Sequence, residues 1–323
     1  MEYHNPVLLK ECIDGLNINP EGIYVDVTFG GGGHSREILK HLTTGKLYAF
    51  DQDADAVKNK IDDPRFVLIR QNFRFLKNFL KLYGALPIDG LLADLGVSSH
   101  QFDEATRGFS TRFDAKLDMR MDQNAKLTAA EIIATYSEED LKRIFKMYGE
   151  VDNAGYLASV IFHTRKEKQI ETVNDLKHAI LKCVKRGREN QYYAQVFQAL
   201  RVEVNKELDV LQELLTQSLE VLKPGGRLVV ISYHSLEDRL VKNFTRSGKF
   251  EGEVEKDFFG NQITPFIQIT RKPIVPGDEE NEINSRARSA KLRIAEKKEG
   301  FEKEEESGKA NSQKATGKRK NKK

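Results

Sequence analysis

Only two cysteines, Cys12 and Cys183, occur in 323 residues, and there is no tryptophan. Two thiols this far apart, with no partners at ligand spacing, exclude a disulfide framework and a cysteine metal centre and suit a reducing compartment. No apolar run approaches the roughly 20 residues that span a bilayer. The opening residues Met1-Glu2-Tyr3-His4-Asn5-Pro6 lack the basic flank and apolar core of a secretion signal, so a cytoplasmic location is expected. Phosphate-binding signatures are missing too. No Gly-Lys-[Ser/Thr] closes a P-loop, and a Gly-x-Gly-x-x-Gly pattern begun at Gly30 and Gly32 would end on Ser35. Ser232 and Ser235 lack the flanking glycines of a nucleophile elbow, which argues against hydrolase chemistry. His34, His100 and His234 share no short ligand spacing, so no metal is expected. Residues 307–323 contain no acid and seven Lys or Arg, leaving −4 on the remainder of a chain whose net charge is +3. The folded body is therefore not globally basic, and contact with nucleic acid would run through local patches.

What is present begins with Ile23-Tyr24-Val25-Asp26-Val27, a β-branched and aromatic run that leads into Gly30-Gly31-Gly32-Gly33 and His34. A helical pattern follows over Ser35–Leu42, then a second apolar run, Leu47-Tyr48-Ala49-Phe50, closed by Asp51. Strand, glycine turn, helix, strand and acid form the grammar of a nucleoside-cofactor site. Glycines let the backbone approach a ligand with no Cβ in the way. An acid closing the second strand is placed to accept hydrogen bonds from ribose hydroxyls. S-adenosylmethionine carries no phosphate and needs both features, so it fits better than a dinucleotide. The plainer alternative is a tight turn with Asp51 capping the next segment, but four successive glycines are conformationally costly.

A fourth strand is expected at Gly90–Asp94, with Phe66–Ile69 the third, Arg227–Ser232 the fifth and another near Phe266–Thr270. Helical patterns near Val7–Gly15, Asp55–Ile61 and Phe75–Tyr83 alternate with the early strands, which predicts a parallel sheet covered on both faces. Ligands on such sheets sit at the carboxyl ends of strands, where Asp94 falls. There it could hold the cofactor's ammonium, accept a proton from an attacking amine, or merely cap a turn. The Pro-Pro-aromatic sequence that often follows this acid in amino methyltransferases is absent, so no base-stacking residue is identified there.

From about Asp103 to Val204 no strand pattern is visible. Ser137 and Thr172 open cap-like helix starts. A single long helix is expected to carry Val196, Leu200, Val204, Leu208, Leu211 and Leu215 on one face until Lys223-Pro224-Gly225-Gly226 breaks it. The expected organisation is a Rossmann-like α/β domain in two parts, 1–102 and 206–295, interrupted by an all-helical substrate-recognition insertion at 103–205. A polar basic tail at 296–323 is expected to be disordered. In the insertion, Arg165-Lys166 and Lys182 to Arg188, with Tyr192 and Tyr193 behind them, suit phosphates and unstacked bases, although charge runs are commonly just solvated faces.

Six motifs occur in order: Thr28-Phe29-Gly30-Gly31-Gly32-Gly33-His34-Ser35, Asp94-Leu95-Gly96-Val97-Ser98-Ser99, Leu117-Asp118-Met119-Arg120-Met121-Asp122, Phe197-Gln198-Ala199-Leu200-Arg201, Ser232-Tyr233-His234-Ser235-Leu236-Glu237-Asp238-Arg239 and Arg288-Ser289-Ala290-Lys291-Leu292-Arg293. Together they resemble the MraW-type family of ribosomal RNA small-subunit methyltransferases, from about His4 to Arg293. The resemblance implies a class I S-adenosylmethionine-dependent methyltransferase sheet with a helical insertion. It also implies N4-methylation of a cytidine in the decoding region of 16S ribosomal RNA, with the small ribosomal subunit as partner. Carried onto this chain, the family's cofactor contacts fall on Gly32, Gly33, His34, Asp51, Phe73, Asp94 and Gln101. Asp94 is also the candidate catalytic residue. Two competing functions remain at this stage: a small-molecule methyltransferase with the insertion as a lid, and a non-catalytic ribosome-assembly factor on the same fold.

Overall fold

The computed structural model describes residues 6–284 and 286–300. Helix α1 (Leu9–Leu16) precedes strand β1 (Ile23–Asp26), helix α2 (Gly33–His41), β2 (Lys46–Phe50), β3 (Phe66–Ile69), α3 (Leu76–Leu82) and β4 (Ile88–Asp94). The short α4 (Ser99–Asp103) leads to a helical block: α5 (Ala129–Thr135), α6 (Glu138–Met147), α7 (Ala154–Glu167), α8 (Val173–Ile180) and α9 (Glu189–Asn205). The chain returns through α10 (Glu207–Val221) to β5 (Leu222–Ser232), α11 (Ser235–Ser247), β6 (Phe266–Gln268), α12 (Asp278–Ile283) and β7 (Lys291–Lys297).

The seven strands form one sheet in the order β3-β2-β1-β4-β5-β7-β6. The first five are parallel, and β7 runs antiparallel to both of its neighbours. Strands buried on both faces explain the near-continuous apolar runs of β1, β2 and β4. One face packs Val25, Tyr48, Leu91 and Val230 against α3, α10 and α11, and the other packs Tyr24, Leu47, Leu92 and Val229 against α1 and α2. The helical block has a core of its own, drawn entirely from residues between Phe109 and Val204. Two of its helices begin as the sequence suggests: the hydroxyl oxygens of Ser137 and Thr172 accept from the N–H groups of Asp140 and Asp175 at 3.0 and 3.2 Å. Such caps contribute about 1 kcal/mol each.

Three sequence expectations are corrected. The long helix is two, because the chain turns at Lys206, whose φ is +52°; the apolar stripe runs through both and hides the break. The segment expected as a helix over Asp55–Ile61 is a 3-10 turn, Ala54–Asn59, opened by the Asp53 carboxylate. Strand β7 was not anticipated. It pairs with β5 over Arg227–Ser232 and continues to Lys297, so ordered backbone crosses the composition change near Ala295. Residues 301–323 of the expected tail lie outside the described residues.

The sheet order reverses direction between β1 and β4. At such a switch point the loops leaving the carboxyl ends part and leave a crevice for ligands.

Candidate active site

The glycine bend after β1 is shaped by steric demands that only glycine meets at several positions. Gly30 and Gly32 have φ of +49° and +76°, values costly for other residues. A Cβ on Gly32 would lie 2.8 Å from the Phe29 ring, and one on Gly33 would lie 2.2 Å from Pro6 Cγ. Gly31 has open space around it. Ser35, which interrupts the dinucleotide pattern, donates its hydroxyl to the buried Asp26 carboxylate at 2.6 Å and ties α2 to β1.

Asp51 follows β2 directly and holds this bend from the side. Its Oδ2 accepts from Gly30 N–H at 2.8 Å, and its Oδ1 accepts from Asp53 N–H at 2.8 Å. Burial pushes its carboxyl up to about 6, against the pull of those two backbone donors.

Asp94 closes β4 on the other side of the bend. Its backbone N–H donates to Thr28 Oγ1 at 2.7 Å, and its Oδ1 accepts from the Tyr233 hydroxyl at 2.8 Å. Burial raises this carboxyl to about 6 as well, with the neighbouring His34 pulling it down. His34 Nε2 lies 3.0 Å from the carbonyl oxygen of Val7. A carbonyl only accepts, so this nitrogen carries a proton. Nδ1 faces Asp94 Oδ2 at 3.9 Å.

Phe73 lies in the turn after β3, half-buried against the sheet core. With Thr28, Gln52, Asn72, Leu95, Gly96, Met121 and Asn205 it lines a cleft. None of the twelve residues that line it is Lys or Arg. Gln101 is placed differently from the rest. Its Nε2 donates to Asp53 Oδ2 at 2.7 Å and its Oε1 accepts from Ser98 N–H at 3.1 Å, so its amide braces the loop after Asp51. Arg107 joins the same carboxylate of Asp53 at 3.1 Å. The structure thus gathers Gly32, Gly33, His34, Asp51 and Asp94 around one bend, places Phe73 on the adjoining cleft, and ties Gln101 to Asp53.

Sequence reasoning missed Tyr233 as the partner of Asp94. The strand-end rule would have found it, since β5 lies beside β4. It also missed a charged group at the cleft's far wall. Arg201 holds Glu207 with two bonds of 2.8 and 2.9 Å, while Glu237 accepts from the N–H groups of Tyr233 and His234. Carboxylate oxygens of Glu207 and Glu237 and a ring nitrogen of His234 lie within 4.8 Å of one another, and the Arg201 guanidinium supplies positive charge there.

The basic-aromatic reading of the insertion is corrected in part. Tyr193 is 7% exposed, and Tyr192 donates its hydroxyl to Asn153, so both belong to the helical core rather than to a stacking surface. Arg165 is spent on the carbonyls of Ile133 and Tyr136. Lys182, Lys185, Arg186 and Arg188 are exposed. Arg120 grips Asp118 through two bonds of 2.7 Å and orders the loop that leads into the insertion.

The Rossmann-like sheet, with its glycine bend at the switch point between β1 and β4, is the fold of the class I S-adenosylmethionine-dependent methyltransferases. The chain belongs to the MraW methylase family, whose profile matches residues 1–298. It is 60% identical over 298 residues to the ribosomal RNA small subunit methyltransferase H of Christiangramia forsetii, covering 92% of this chain and 98% of that one. The protein of the same name from Cytophaga hutchinsonii is 62% identical over 297 residues, covering 91% and 99%. Among solved structures, an rRNA methylase from Streptococcus thermophilus aligns at 14% identity and a TM-score of 0.37 over 90% of this chain and 93% of that one, too slight a likeness to add to this.

Proposed function

We propose that this protein transfers a methyl group from S-adenosylmethionine to the exocyclic N4 amine of a cytidine in the decoding region of 16S ribosomal RNA, within the small subunit. The observation that carries the reading is Asp94, fixed by Tyr233 at the end of β4 and facing His34 beside the glycine bend. The family and the names of its relatives support the RNA substrate.

The residues fit the donor. Gly31 leaves open space at the bend, and the N-terminus of α2 has no side-chain cap, which suits a carboxylate. Asp51 has lone pairs left for ribose hydroxyls, and Phe73 offers a ring to adenine. The Asp94 carboxylate suits the ammonium. When bound, the sulfonium supplies a methyl group open to in-line displacement. An exocyclic cytosine amine is a poor nucleophile, because its lone pair is delocalised into the ring. It needs orientation and an acceptor for one N–H, which a carboxylate at this strand end provides. The insertion at 103–205 serves as the substrate-recognition domain, with Lys182, Lys185, Arg186 and Arg188 placed for phosphates.

Every duty given to Asp51 and Asp94 requires the ionised form, and both titrate near 6. Cofactor affinity is expected to fall about tenfold for each group between pH 7 and pH 5. Stability of the free protein runs the other way. A carboxyl whose folded pKa lies above its unfolded value stabilises the fold below the unfolded value and loses that contribution as pH rises through 6. Calorimetric titration with S-adenosylhomocysteine across this range, beside thermal melts of the free protein, checks both signs.

The reaction itself is tested by incubating the protein with labelled donor and isolated small subunits, then analysing nucleosides. Label is expected in N4-methylcytidine, with activity falling as salt rises. Label confined to small molecules would favour the lid reading, and RNA binding without label would favour an assembly factor.

A further inference from the structure

The cleft next to Phe73 is walled by more than the sheet. Its lining includes Met121, from the loop that leads into the insertion, and Asn205, the last residue of α9. Asn205 is the joint between them. Its Oδ1 accepts from Met121 N–H at 2.8 Å, and its Nδ2 donates to the carbonyl oxygens of Met119 at 2.8 Å and Arg201 at 2.9 Å. An asparagine is the natural residue here, since one planar amide must accept from one backbone group and donate to two. The held loop is not a relaxed one, because Met119 has a φ of +59°. From the opposite side Arg107 donates to the carbonyl oxygen of Arg120 at 2.8 Å while anchored on Asp53. Met121, clamped between them, is 8% exposed, and its sulfur accepts from Gln52 Nε2 at 3.3 Å. Gln52 in turn accepts from Asn72 Nδ2 at 2.7 Å. A chain of contacts thus runs around the cleft from the end of β3, past β2, to the C-terminus of an insertion helix.

We infer that Asn205 is a positioning residue for cofactor binding: it sets Met121 as the wall that packs against the adenosyl group, so that the helical insertion completes a pocket the sheet only half builds. This rests on the S-adenosylmethionine reading above. Asn205 touches no reacting atom. It acts through Met121, whose soft, flexible thioether suits a wall lying on an aromatic ring system.

A double-mutant cycle on the full-length protein tests it, with affinity for S-adenosylhomocysteine read by calorimetry and turnover read at saturating donor. Asn205→Ala and Met121→Ala are each expected to weaken binding about tenfold, and the double variant no more than about twentyfold, because both remove the same wall. Turnover at saturating donor is expected to stay within about threefold, since the loss is uniform binding. Asn205→Asp keeps the acceptor for Met121 N–H, loses the donor arm and is expected to fall between wild type and alanine. It also serves if the alanine variant fails to fold. Single effects that multiply to about a hundredfold, or binding by Asn205→Ala and Asn205→Asp within twofold of wild type, overturn the inference. A wild-type protein that binds no S-adenosylhomocysteine overturns instead the cofactor reading beneath it.

Discussion

Replacing Asp94 by alanine is expected to lower methyl transfer at saturating donor by about a hundredfold or more, the scale of a lost proton-acceptor or orienting group. The carboxylate is held on three sides: backbone to Thr28, Oδ1 to Tyr233, and Oδ2 toward His34. Alanine removes this carboxylate and leaves the Tyr233 hydroxyl and His34 Nδ1 without their partner. Asp94→Asn keeps the size and an acceptor oxygen but loses the charge, so it is expected to recover little. Turnover of Asp94→Ala within about tenfold of wild type, measured as methylated nucleoside formed per minute, would deny Asp94 a central part. Tyr233→Phe separates holding from acting. It frees the carboxylate without removing it, so its effect is expected to be much smaller.

Asp51→Ala is expected to act on binding rather than on turnover. Hydrogen bonds from neutral donors to a charged acceptor are worth about 1.5–3 kcal/mol each, so losing two ribose contacts corresponds to about a hundredfold or more in affinity. The substitution also strips Gly30 N–H and Asp53 N–H of their acceptor. The bend and the following turn would loosen together, which adds to the loss. Asp51→Asn restores one acceptor oxygen and is expected to recover part of the affinity. Calorimetry with S-adenosylhomocysteine reads the effect, and an unchanged dissociation constant would remove Asp51 from the ribose.

The half of the site that lies on β1, β2 and β4 was legible in the sequence for a physical reason. Parallel strands buried on both faces must be apolar throughout, so their ends are sharp, and Asp51 and Asp94 stand at those ends in plain view. The glycine bend is equally visible, because Gly32 and Gly33 sit where a Cβ collides. The other wall was not legible. Asn205 and Lys206 form a helix break with no glycine or proline to announce it, inside an apolar stripe that continues through α9 and α10. Strand β7 was missed because its polar alternation resembles the tail that follows; only in the fold does Arg293 find Asp238 at 2.6 Å and become buried. Tyr192 and Tyr193 show the reverse error. Beside a basic run they read as a nucleic-acid surface, yet Tyr193 is packed into the helical core and carries Lys177 over its ring at 5.3 Å.

We propose that the glycine bend, with Asp51 on one side and Asp94 on the other, holds the methyl donor. The most direct measurement is a crystal structure of the protein grown with S-adenosylhomocysteine. The expected result is an adenosyl group with its ribose hydroxyls on Asp51, its adenine beside Phe73 and its ammonium between Asp94 and His34. A ligand bound elsewhere, or a pyrophosphate compound taking that place in competition, would contradict it.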